Sequence, residues 1–351
     1  MTKETEFTLE ELKPKYLDQP DRWNNWYFAV DFTQEGKDYS FKLAIAEGTL
    51  PLAKKILSFS KDPLSFTQED DVKVLNRPTN DFNIMSSEEE ELDFKETKDT
   101  LTIEMGDLTV ICKPDERRLI SKIDKLGADL IFTPRGPLFF WGDEKGVNCK
   151  VTETTRTAGI ESLSNVKGTI NFEGEEINVE GKGLFERVWI NDLNFFEIRI
   201  TNWIYANFDQ LYMYLCHTES VTSDSIPFHF ETGKVYLVSE DDYQFAKRIE
   251  VTPENWVYLK EARRFIPFEQ TAVMRTDKGK LELRVIPIRY PQLIEAPMRL
   301  ENFIVDNIPG WSTLFYDLPV KLEGKFVYKD GKTVELTDGR GMNELIRLVP
   351  L

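Results

Sequence analysis

The sequence predicts an all-β chain folded as two tandem antiparallel β-barrels. Three observations carry this. Short alternating runs recur along the 351 residues, separated by Gly, Asn, Asp and Pro turn signals, with no convincing long helix. The chain holds 24 Phe, 12 Tyr and 7 Trp, and aromatic residues favour pleated, half-buried surfaces. Finally, a glycine hairpin occurs twice. Gly181-Lys182-Gly183-Leu184-Phe185-Glu186 returns as Gly339-Arg340-Gly341-Met342-Asn343-Glu344. Upstream, Val166-Lys167-Gly168 with Gly174, Ile177 and Val179 matches Leu322-Glu323-Gly324 with Gly331, Val334 and Leu336. Each copy reads as two alternating runs around a glycine turn. One repeat at domain spacing implies duplication of a whole domain, where a solenoid needs closer copies. The expected domains are residues 1–190 and 191–351, in keeping with about two domains for this length.

The elements follow in order. Thr8 to Glu11 has the form of a capping box opening a short helix that Pro14 interrupts. Trp23–Phe32 and Tyr39–Ile45 form a hairpin around Gly36. Pro51–Phe59 is read as a short helix or a loop. Ser86–Glu91 is a charge run at a solvated loop tip. Leu101–Met105 and Leu108–Cys112 alternate around Gly106-Asp107. Arg117–Phe132 mixes helical spacing with a central Gly127 and is read as strand, turn, strand. In the second half, Phe196–Ile200 and Tyr212–Cys216 flank a bend at Tyr205-Ala206-Asn207. Lys234–Val238, Lys247–Val251, Leu281–Ile288, Lys325–Lys329 and Leu345–Leu348 continue the strand series.

Composition excludes several classes. The chain is 41% hydrophobic and 30% charged, enough to bury a sizeable core, and its net charge is −17. That charge repels phosphate, so nucleic acid is not an expected partner, and it opposes docking on anionic membranes. No integral membrane segment is expected, because no run nears the roughly 18 apolar residues of a spanning helix. The first residues lack a signal-type apolar region. Cys112, Cys149 and Cys216 are odd in number and far apart, which fits a reducing, cytoplasmic setting.

Asn25-Trp26-Tyr27-Phe28, then Ala128–Pro137, then Val166–Trp189 occur in an order that resembles the tandem lipocalin-like family of AttH-like proteins and hydroxyneurosporene synthase (carotenoid 1,2-hydratase). The resemblance covers most of the first half, and mainly the terminal hairpin of the second. It implies two lipocalin-like, calycin-type barrels and a hydrophobic pocket. It also implies a hydrophobic small-molecule partner, isoprenoid or lipid-like, held in a β-barrel or interdomain pocket. Related members hydrate isoprenoid double bonds, catalyse pericyclic cyclisations or bind lipids. The chain departs from the carotenoid-hydratase pattern after Glu186, where Arg187-Val188-Trp189-Ile190 replaces an Asn-Trp-Gly sequence.

Glu186 is the candidate catalytic acid. A carboxyl among aromatics holds its proton more tightly and can protonate an alkene, while aromatic faces stabilise the resulting cation. The competing reading is a structural glutamate, which its repetition at Glu344 favours. Trp26, Tyr27, Trp189, Trp203 and Tyr205 are candidate ligand-binding residues, since Trp and Tyr combine apolar area with a donor. No cofactor and no metal are expected. His217 and His229, with Cys216 and Asp224, match no zinc spacing. A Cys216–His217 nucleophile is disfavoured because strand neighbours face opposite ways. Three functions remain open: a binding protein, an acid-catalysed hydratase or cyclase of a polyene, and an interaction scaffold with filled barrels.

Overall fold

The computed structural model describes residues 8–19, 22–48, 54–86, 90–123, 125–142, 149–192, 197–221, 227–294 and 311–350. Among them there is no α-helix, and no helix long and apolar enough to cross a membrane. The chain divides into two compact units. The first joins Met1–Phe59, Phe82–Cys149 and Arg156–Leu193; the second joins Ser60–Asp81, Lys150–Thr155 and Asn194–Leu351.

The chain begins with a 3-10 turn, Leu9–Leu12, closed by the Thr8–Glu11 capping box. The strands then run β1 (Trp23–Gln34), β2 (Lys37–Gly48), β3 (Lys55–Ser60), β4 (Phe66–Glu69), β5 (Val72–Leu75), β6 (Phe82–Ser86), β7 (Leu92–Glu96), β8 (Leu101–Met105) and β9 (Leu108–Cys112). They continue as β10 (Arg117–Ile123), β11 (Leu126–Pro134), β12 (Phe139–Phe140), β13 (Cys149–Lys150), β14 (Arg156–Phe172) and β15 (Glu175–Asn191). The first unit is one curled antiparallel sheet in the order β6-β3-β2-β1-β15-β14-β11-β10-β9-β8-β7. Period-two alternation sends Trp26, Phe28, Val30 and Phe32 of β1 into its core. Phe28 packs at 4.9 Å from Phe185 and 5.2 Å from Phe132, ring centre to ring centre.

The second unit repeats this plan. Its strands are β16 (Ile198–Asn207), β17 (Leu211–Val221), β18 (Pro227–Leu237), β19 (Asp242–Phe245), β20 (Arg248–Pro253), β21 (Trp256–Leu259), β22 (Arg264–Pro267), β23 (Gln270–Arg275), β24 (Gly279–Pro287), β25 (Gln292–Leu293), β26 (Trp311–Tyr328) and β27 (Thr333–Pro350). The curled sheet runs β19-β18-β17-β16-β27-β26-β24-β23-β20. A small sheet, β22-β21-β5-β4, brings the hairpin β4–β5 into this unit, where Leu75 joins the second core.

Both sheets place a first strand between a neighbour and the final long hairpin, β14–β15 in one and β26–β27 in the other. The glycines match too. A Cβ at Gly183 would lie 2.4 Å from Ala29 O, and one at Gly341 would lie 1.9 Å from Tyr205 O. Only glycine lets the hairpin approach the first strand so closely. The second hairpin carries one register shift, between Leu322 and Gly324, that the first lacks.

Three local readings need correction. Lys55–Ser60 is strand β3, not helix or loop, because Ile56, Leu57 and Phe59 are buried along it; residues 51–53 lie outside the described residues. Tyr205–Asn207 continue β16, and the turn comes one step later, where Phe208 N donates to Leu211 O at 2.9 Å. In the acidic run, Ser86 ends β6 and Glu90 pairs with Lys55, while residues 87–89 lie outside the described residues.

Candidate active site

The register of the first unit assembles a row across four strands. Tyr27 on β1 stands opposite Glu186 on β15, Glu186 opposite Glu161 on β14, and Glu161 opposite Phe139 on β12. All four share the face that points away from the Phe28–Phe185 core. Glu161 and Phe139 are fully buried, Tyr27 and Glu186 nearly so. Directly opposed residues on neighbouring strands have Cβ atoms about 5 Å apart, so the two carboxylates are neighbours. Trp141 Nε1 donates to Glu161 Oε1 at 2.9 Å, which fixes that carboxyl. Burial, a carboxylate pair and flanking aromatic rings are the ingredients of a proton donor facing an apolar ligand.

The second unit repeats the row. Trp203 on β16 stands opposite Glu344 on β27, Glu344 opposite Asp317 on β26, and Asp317 opposite Gln292 on β25. Asp317 is fully buried. Around this row the same face is aromatic: Trp203 and Tyr205 lie 5.6 Å apart, and Tyr212 and Tyr236 lie 4.8 Å apart.

The candidate residues thus fall into three places. Tyr27 and Glu186 come together. Trp203 and Tyr205 belong to the second unit's face. Trp26 and Trp189 sit around Arg187, with its guanidinium 4.2 Å and 5.3 Å from their ring centres. Trp26 Nε1 donates to Leu12 O at 2.9 Å, and Arg187 donates to the carbonyls of Leu12 and Lys13 and, at 2.7 Å, to Asn24 Oδ1. This cluster ties the 3-10 turn to the end of the sheet. Burial pulls the Arg187 guanidinium down to about 9, against the opposing pull of Glu47, so it stays charged at neutral pH. Glu161, Asp317 and Trp141 were missed in the sequence. Their only signal is strand register, which single-strand patterns do not reveal.

One cavity of about 190 Å³ lies at an end of the second unit, lined by Leu211, Leu237, Val238, Phe326, Tyr328 and Val334 among others. It is smaller than a usual ligand pocket of roughly 300 Å³ or more.

No family model and no curated protein matches the chain. Solved structures do match over nearly its whole length. An AttH-like protein from Nitrosomonas europaea superposes with a TM-score of 0.62 at 16% identity, over 98% of this chain and 97% of that one. CghA with Sch210972 gives 0.63 at 11% identity, over 97% and 92%. Kievitone hydratase from Nectria haematococca gives 0.61 at 10% identity, over 98% and 92%. The likeness is one of fold, the tandem lipocalin-like all-β architecture.

Proposed function

We propose that this chain binds an apolar, unsaturated small molecule and acts on it by acid catalysis, as a hydratase or cyclase. The observation that carries this reading is the buried row Tyr27–Glu186–Glu161–Phe139. A pair of neighbouring buried carboxyls is the kind of arrangement that holds a shared proton for acid catalysis. Glu186 donates that proton to a carbon of the ligand's double bond, and the C=C electron pair forms the new C–H bond. The adjacent carbon becomes cationic beside the Tyr27 ring. Water then adds to the cation and returns a proton to the carboxylate, or an internal alkene attacks the cation, closes a ring, and the new cation gives a C–H proton to the same carboxylate. The fold is shared with a protein named a hydratase and with one solved with a bound small molecule, which supports this class of ligand. Three cysteines, Cys112, Cys149 and Cys216, far apart in the sequence, support a reducing, cytoplasmic setting.

The test is solvent extraction and mass spectrometry of the purified chain, followed by turnover assays on the compound recovered. Glu186→Gln is expected to retain the ligand and lose turnover. Retained turnover in that variant would refute the acid assignment. The aromatic face around Trp203, Tyr205, Tyr212 and Tyr236 favours a second reading, binding without chemistry. That reading predicts a recovered ligand that the wild-type chain leaves unchanged.

A further inference from the structure

The chain has two histidines, and the fold brings both into one cluster. His217 and Glu219 lie two apart on β17, so they share a face. On β18, His229 stands directly opposite Glu219 and Glu231 directly opposite His217. The twelve-residue separation that hid this pair in the sequence is the length of a hairpin turn and its return strand. One ligand atom from each of His217, Glu219 and His229 lies within 4.8 Å of the others. His217 Nε2 is 3.9 Å from Glu219 Oε1.

We propose that His217, Glu219 and His229 form a binding site for a divalent first-row transition metal of the zinc class. Two neutral imidazoles and one carboxylate are the donor set such ions take, with a position left for water. Donor atoms around a tetrahedral ion are about 3.3 Å apart at bond lengths near 2 Å. The three groups therefore close by roughly 1.5 Å at most on binding, within the reach of side-chain rotation. The mobile partners are the exposed His229 and the partly exposed Glu219, while His217 is held more deeply.

A second observation points to a ligand at His217. Its Nδ1 is buried with no hydrogen-bond partner among the described residues, and so is Oδ1 of Asn202, which stands directly opposite it on β16. Nδ1–H donating to Asn202 across the pair would leave Nε2 unprotonated for the metal. Asn202 is thus a positioning residue. Glu231 adds negative charge beside His217, although its Oε2 already accepts from Ile249 N at 2.8 Å. Arg347 opposes the cation, because its charge interacts with Glu219. The alternative is a pair of cross-strand His–Glu contacts with no metal.

The test uses the full chain without a histidine tag, stripped with chelator and titrated with Zn²⁺ or Co²⁺ near pH 7.5. The proposal predicts one ion per chain and, for Co²⁺, visible absorption typical of low coordination number. His229→Gln sits on an exposed side chain, so it folds; it and His217→Ala weaken binding by roughly tenfold or more. Asn202→Leu weakens it less and shifts the pH midpoint of binding. Absence of saturable binding, or binding unchanged in His229→Gln, would overturn the site. Far-UV circular dichroism on each variant separates loss of ligand from loss of fold.

Discussion

The two units share a plan but finish one end of the sheet differently. At one level of the first sheet the register aligns Arg187, Trp26 and Ile45; at the matching level of the second it aligns Leu345, Asn202 and His217. In the first unit this level is bound to the 3-10 turn through Arg187 and is fully buried. In the second, the arginine and tryptophan are replaced by leucine and asparagine, and the neighbouring positions carry His217, Glu219 and His229. The opposite faces diverge the other way. Ala29, Asp31, Lys42 and Ser40 of the first unit correspond by register to Tyr205, Asn207, Tyr214 and Tyr212 of the second. The two units share the hairpin glycines and a register-paired acid, Glu186 with Glu161 and Glu344 with Asp317. The side chains between them differ: this face is small and polar in the first unit and aromatic in the second.

The largest expected effect tests the first difference. Arg187→Met removes the side-chain donor to the Lys13 carbonyl and leaves Leu12 O with Trp26 Nε1 alone, and it costs about 3 kcal/mol in urea unfolding. Leu345→Met, at the matching place, costs under about 1.5 kcal/mol. Similar losses at both positions would end the claim that only the first unit is tied shut by an arginine.

Shared features should respond alike. Gly168 has φ +148°, and a Cβ there would lie 2.0 Å from Asp129 O; one at Gly324 would lie 1.9 Å from Glu282 O. Each Gly→Ala change is expected to cost about 2 kcal/mol, measured by thermal unfolding. Tolerance at one position alone would show that the hairpins are not equivalent.

Thiol chemistry separates the units more finely. Burial pushes the Cys112 thiol up to about 12, with Arg117 only partly offsetting it. Cys112 and Cys216 are buried and Cys149 is partly exposed. One thiol of the three is expected to react with a disulfide reagent at pH 8 in the native chain, and all three after denaturation. Rapid native labelling of Cys112 would contradict the packed first core.

The smallest effect concerns acid. Hydrogen bonds from Lys278 and then Tyr328 hold the Glu240 carboxyl below its ordinary 4.5. A depressed carboxylate contributes stability above its unfolded value, and that contribution is lost as pH falls through the folded value. Because the group is close to the surface, Glu240→Gln should cost under about 1 kcal/mol at pH 7 and nothing once pH is well below 4. A cost that persists in strong acid would assign Glu240 another role.

The glycine hairpins made the repeated sheet plan legible, because Gly-x-Gly marks places where backbones meet. The strand–turn–strand reading of Arg117–Phe132 held because Gly127 disfavours a helix and the neighbours are strands. Strand β3 was hidden, since its pairing with β2 and β6 outweighs the weak local pattern around Pro51. The Trp26–Arg187 cluster joins residues 161 positions apart, and no local rule pairs them. For the candidate site, Glu186 and Tyr27 were found separately, but only register puts them beside Glu161. His217 and His229 match no zinc spacing in the linear sequence, and only the β17–β18 register sets each across from a glutamate.

The most direct test of the acid row is turnover in D₂O. A carboxyl proton exchanges with solvent, so a proton delivered to carbon arrives as deuterium and remains there after back-exchange. Incubation of the wild-type chain with its extracted ligand, or with a panel of unsaturated isoprenoids, is predicted to give a product carrying one non-exchangeable deuterium by mass spectrometry. Glu186→Gln is predicted to give none, and Glu344→Gln to retain it. Carbon-bound deuterium at the wild-type level in Glu186→Gln, or its absence from every compound that the wild-type chain binds, would contradict the account.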